Sequence, residues 1–172
     1  MSDRRALQLA KHLLIQWPFY ERNFQELRGR VKSTALCLFK ALKQLDSEEV
    51  NWLAERYYKS EREANYSERL DECMTIIPVP FKDIAQVFNR PEQRVQEELR
   101  RIERRLGFYI MDYQREYEEQ ANKDSLERMR SLVHESMSNY DEQAILLKAI
   151  REVEYKRNST IKENKFQGSL II

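Results

Sequence analysis

The chain has 172 residues, 34% of them charged and 41% hydrophobic, with 30 Lys and Arg against 29 Asp and Glu; this allows one domain with extensions and excludes wholesale disorder. Three Gly and four Pro are too few breakers for a many-turned β fold and predict long helices. No apolar run approaches the ~18 residues of a membrane-spanning helix, and residues 1–10 lack the apolar stretch of a signal peptide. A cytoplasmic protein is therefore expected, with Cys37 and Cys73, which form no CxxC, as free thiols.

Asp3 has the chemistry of a first cap, and Trp17-Pro18 predicts the end of that helix, because proline disfavours helix at the residue before it. A second helical stretch is expected from Phe19, with Gly29 as its break or as a tolerated interior residue, then a helix over residues 33–45 with Leu36, Phe39 or Lys40, Leu42 and Leu45 marking its broad apolar stripe. Asp46 followed by Glu49 has capping-box spacing. Val50, Leu53, Ala54 and Tyr57 then lie at i, i+3, i+4 and i+7, one helix face; Trp52 falls on the opposite face and is expected in the core. Residues 59–71 read as a polar loop or loose helix, and residues 75–80, with Pro78 and Pro80, as extended chain.

Phe81, Ile84, Ala85 and Phe88 repeat the i, i+3, i+4, i+7 spacing and predict a two-turn helix over residues 81–88. Asn89-Arg90-Pro91 breaks it: Asn tolerates the left-handed conformation, and Pro suits the first turn of a new helix. Residues 91–106 form that helix, with Val95, Leu99, Ile102 and Leu106 on one buried stripe. Its outer side carries Arg94, Arg101 and Arg105 on one flank, Arg100 and Arg104 round the back, Gln93 and Glu97 between, and Glu92 and Glu103 on the other flank. Beyond it, Gly107 can end the helix or lie inside it. Asp124 with Glu127, and Asn139 with Glu142, have the spacing of two further helix starts, and Leu146, Ala149, Ile150 and Val153 mark one face of a last helix. The expected division is basic N-terminal helices over residues 1–45, a helix-turn-helix core over 46–107 with an acidic insertion at 59–80, C-terminal helices over 108–162, and a tail over 163–172.

A short helix, a tight turn and a longer arginine-bearing helix are what DNA reading requires. Arginine neutralises phosphate and forks onto guanine, Gln onto adenine, and Glu accepts from cytosine. The first turns of a recognition helix reach the bases, which makes Arg90, Gln93, Arg94 and Glu97 the candidate readers and Arg100, Arg101, Arg104 and Arg105 the candidate phosphate contacts. The competing explanation is a solvated Arg/Glu face held by pairs such as Glu97–Arg101. Residues 1–45 carry nine Lys and Arg against three Asp and Glu, among them Arg4, Arg5, Lys11, Arg22, Arg28, Arg30 and Lys32, whereas residues 46–80 carry four against nine; a phosphate backbone feels this local field and not the near-zero total.

The segments FKALKQLDSEEVNWLAERYY and FKDIAQVFNRPEQRVQEELRRIERRLG resemble region 4 of bacterial sigma-70-type factors. Ala41, Leu42, Leu45, Glu49, Leu53, Arg56 and Tyr57 match the first half of that pattern, and Ile84, Ala85, Phe88, Val95, Leu99, Arg101 and Leu106 the second. The likeness covers residues 39–107. Asn89 stands where the family has a turn glycine, Pro91 where it has a capping serine, and residues 59–80 where it has a short link. With no region like the polymerase-binding, promoter-melting part ahead of it, the chain is similar to the late regulators of phages and prophages of the ArpU/RinA type. The resemblance implies an all-α fold, a sigma-region-4-like helix-turn-helix core with N-terminal and C-terminal helical extensions. It implies a sequence-specific transcription regulator bound to double-stranded DNA, with RNA polymerase and a second copy, through N- or C-terminal helices, as further candidate partners. The alternatives are an adaptor that binds polymerase or another regulator without reading DNA, and a phage terminase small subunit.

No enzyme, metal site or cofactor is expected. His12 and His134 stand apart with no ligand at metal spacing, Gly29, Gly107 and Gly168 cannot build a phosphate loop, and no Ser or Cys lies in a nucleophile motif.

Overall fold

The computed structural model describes residues 3–136 and 140–167. They are mostly helical, with one two-stranded sheet: α1 (Asp3–Leu14), α2 (Trp17–Asn23), α3 (Gly29–Leu42), α4 (Ser47–Leu53) continued by a π-helical turn (Ala54–Tyr58), β1 (Glu63–Ser67), β2 (Glu72–Ile76), α5 (Phe81–Val87), α6 (Glu92–Ser136) and α7 (Tyr140–Gln167). No helix among the described residues is long and apolar enough to cross a membrane. The side chain of His134 and the helix start expected at Asn139 lie outside the described residues.

Two compact units divide the chain, Met1–Tyr117 and Glu118–Ile172. Helix α6 runs unbroken through Gly107. Gly107 is interior to the helix for a steric reason: a Cβ there would overlap the backbone carbonyl of Ala6, so α1 crosses α6 at that point. Asp124 and Glu127 also lie inside α6 and start no helix, and α7 continues into the stretch expected to be a tail.

In the first unit, the core gathers Ala10, Leu14, Leu38, Leu53, Tyr57 and the α6 stripe Val95, Leu99, Ile102, Leu106 and Ile110. Helix α1 stops earlier than expected, at Leu14, and Pro18 falls in the first turn of α2, where its missing N–H costs little. Helix α3 starts at Gly29, whose φ of 55° needs no Cβ; Leu42 and Leu45 are buried as expected, but Ala35 and Leu38 lie deeper, with Leu36 and Phe39 only partly covered. The capping box at α4 forms as its spacing predicts: Asp46 accepts from the Glu49 N–H at 2.8 Å, and the Asp46 N–H donates to Glu49 at 3.3 Å.

Residues 59–80 depart from the loop or loose helix expected over 59–71. They hold an antiparallel hairpin with Glu63 opposite Ile76 and Ser67 opposite Glu72. Its tight end contains no glycine; Asp71, at φ 52°, takes the left-handed position. Partners remote in sequence hold the strands. The Ile76 N–H donates to the Ile15 carbonyl at 2.9 Å, and Glu72 accepts from Arg22 and Asn23, each at 2.6 Å.

Partial burial opposes ionisation of Glu72, but the hydrogen bonds from Asn23 and Arg22 prevail and lower its pKa. A carboxylate with a lowered folded-state pKa contributes stability above its unfolded pKa of ~4.3, and loses it as pH falls through the folded value. At pH 7, Glu72→Gln should therefore unfold at lower denaturant than wild type, and the gap should close on acidification. A gap that persisted unchanged at the acid end of a urea titration series would contradict this linkage.

Candidate nucleic acid interface

Helix α5 ends in a full Schellman motif. The Arg90 N–H donates to the Ala85 carbonyl at 3.0 Å and the Asn89 N–H to Gln86 at 3.2 Å, with Asn89 left-handed at φ 48°. This bond pair satisfies the last carbonyls of a helix and turns the chain sharply, so Asn89 does what glycine usually does. Pro91 sits one position before the helix, not inside it as expected, and its carbonyl accepts from the Val95 N–H at 3.1 Å. On α5, Ile84 is fully buried and Phe81, Ala85 and Phe88 pack partly against the core. Phe88 stacks on Trp52 with ring centroids 3.9 Å apart and planes 6° from parallel; this places Trp52 in the core and joins α4 to the turn.

Four predicted residues meet at the start of α6. Arg90, Gln93, Arg94 and Glu97 are exposed. Gln93 Nε2 lies 3.5 Å and Arg94 Nη1 3.4 Å from the Glu97 carboxylate. Together with Glu48, Trp52, Phe88 and Glu98, Arg90, Arg94 and Glu97 line a groove between α4 and the turn. Two arginines face three carboxylates there, so the groove is electrostatically mixed.

The later arginines separate into two groups. Arg100 and Arg104 are exposed, and Arg104 lies 3.5 Å from Asp3. Arg105 and Arg101 pair with Glu49 of α4, which is only 5% exposed; Arg101, exposed like Arg100 and Arg104, also pairs with Glu98. Glu49 thus serves the cap of α4 and ties that helix to α6. Of the two cations, Arg105 is the more covered, so its charge acts inward.

Glu103 departs furthest from expectation. Expected on an exposed flank, it is 1% exposed. Its Oε1 accepts from the Tyr57 hydroxyl at 2.6 Å and lies 3.8 Å from Arg56 Nε, and its Oε2 lies 3.5 Å from Lys11 Nζ. Burial first, and then the Glu103 charge, push the Tyr57 phenol far above its ordinary range. Arg56 is fixed in turn by the Val79 carbonyl at 2.8 Å and by the Phe81 ring, 3.7 Å from its guanidinium carbon. One buried carboxylate therefore joins α1, the π-helical turn and α6.

None of the protein-family models, curated proteins or solved structures compared with the chain matches it.

Proposed function

We propose that the protein is a sequence-specific DNA-binding transcription regulator whose helix-turn-helix, of the sigma-region-4 kind, consists of α5 and the first four turns of α6. One observation carries this reading: the Schellman turn and the buried stripe from Val95 to Leu106 hold the Arg90–Gln93–Arg94–Glu97 end of α6 outward. A helix presented in this way fits the major groove. In this reading, Arg94 and Gln93 address base edges and Arg100 and Arg104 meet phosphates. Arg101 and Arg105 are expected to contribute less to DNA affinity, because Glu49 already holds them.

Fluorescence anisotropy against promoter fragments of the source genome tests the reading. Arg94→Ala should cost about 1–3 kcal/mol on the cognate site and far less on random DNA. Arg100→Ala with Arg104→Ala should weaken both kinds of DNA alike and make the salt dependence shallower. Val95→Asp is the control for unfolding, since it buries an unpaired charge, and circular dichroism identifies it. Folded arginine variants that retain full binding would refute the assignment.

One observation favours a second reading, an adaptor that docks a protein: Glu48, Glu97 and Glu98 outnumber Arg90 and Arg94 around the groove, a balance better suited to a mixed-charge surface than to phosphate. Pull-down of core RNA polymerase with and without DNA separates the two.

A further inference from the structure

Among the described residues of the second unit, α7 carries apolar side chains that stay exposed to solvent. Arg130 of α6 pairs with Glu154 of α7, and Ile150 is buried. At about 100° per residue, Leu147, Ile150, Leu146, Val153, Ala149 and Ile145 occupy an arc of about 200° on α7. A single neighbouring helix covers an apolar stripe of roughly 100°. The excess is visible in the exposures: Ile145 is 69%, Val153 56% and Leu146 40% accessible.

We infer that this second stripe of α7 is the contact surface for a second copy of the chain, with the two α7 helices parallel and in register. Leu146, Ala149 and Val153 follow the 3-4 spacing of a short coiled-coil seam, at positions a, d and a, which Lys156 ends at the next d position. In that frame Glu152 takes position g and Arg157 the e position five residues later. In a parallel pair, g of one helix faces the following e of the other, so Glu152 of each copy meets Arg157 of its mate. The charges beside the seam are thus complementary to those of the same surface on another copy, as a two-fold interface requires. The inference stands apart from the DNA-binding reading.

Sedimentation equilibrium of the full chain without DNA tests it. Wild type should sediment at twice the chain mass, and Leu146→Asp with Val153→Asp at the chain mass with an unchanged helical spectrum. Charge reversal covers the case in which that variant fails to fold. Glu152→Arg alone and Arg157→Glu alone should each weaken the dimer at least several-fold, and their combination should restore it. A wild-type monomer at the highest soluble concentration overturns the inference, as does a ring-sized assembly or a charge-swapped chain no tighter than its single variants.

Discussion

Gly107→Ala should destabilise the first unit, although helix propensity alone favours alanine over glycine by about 1 kcal/mol. The added Cβ would overlap the Ala6 backbone, and a backbone carbonyl cannot rotate away as a side chain does. Either α1 lifts off α6 or both helices shift, which breaks the packing of Ala10 and Leu14 into the core. Overpacking commonly costs about 1–3 kcal/mol, and Gly107→Val, with two further methyl groups, should exceed that and leave little folded protein at ambient temperature. Urea denaturation followed by circular dichroism measures both. Because the obstacle is main chain, Ala6→Gly should not rescue either variant. Stability equal to or above wild type for Gly107→Ala would mean that the helices do not cross this closely.

Glu103→Ala should be the second severe substitution, costing about 3–5 kcal/mol, the range for removing one partner of a buried ion pair. It would strip the Tyr57 hydroxyl of its acceptor and leave the mostly buried Arg56 without its carboxylate. Tyr57→Phe removes only the hydroxyl and should cost less, about 1–3 kcal/mol. Lys11→Ala should cost least, because the lysine side chain is 41% exposed and water screens its charge. Chemical denaturation of the three variants gives the ranking. If Lys11→Ala proved as damaging as Glu103→Ala, the load would lie on the α1 contact and not on the π-helical turn. Both severe substitutions fall on the side of α6 away from Arg94, so a loss of DNA binding in either should track the loss of folded protein.

Local chemistry alone determined a substantial part of this molecule. The Asp46–Glu49 box, the left-handed turn at Asn89 and the stripe Val95, Leu99, Ile102 and Leu106 each depend on residues within a few positions of one another, where spacing is sufficient evidence. The exposure of Arg90, Gln93, Arg94 and Glu97 follows from the same stripe, since what is not buried on a short arc must face outward. Three features only the tertiary structure decided. The hairpin of residues 63–76 has neither alternating apolar strands nor a glycine turn, and it is held by Ile15, Arg22 and Asn23, about fifty positions away from their partners for the last two. Gly107 resembles a helix stop by composition, but it is required by the backbone of Ala6, a hundred residues earlier in the chain. Glu103 is a carboxylate whose flank position and charge predict exposure, and the capping-box spacing of Glu49 gives no sign of its burial. Both are buried because cations distant in sequence neutralise them there, and the free energy of bringing such charges together depends on separation in space, to which helical spacing along the chain gives no access.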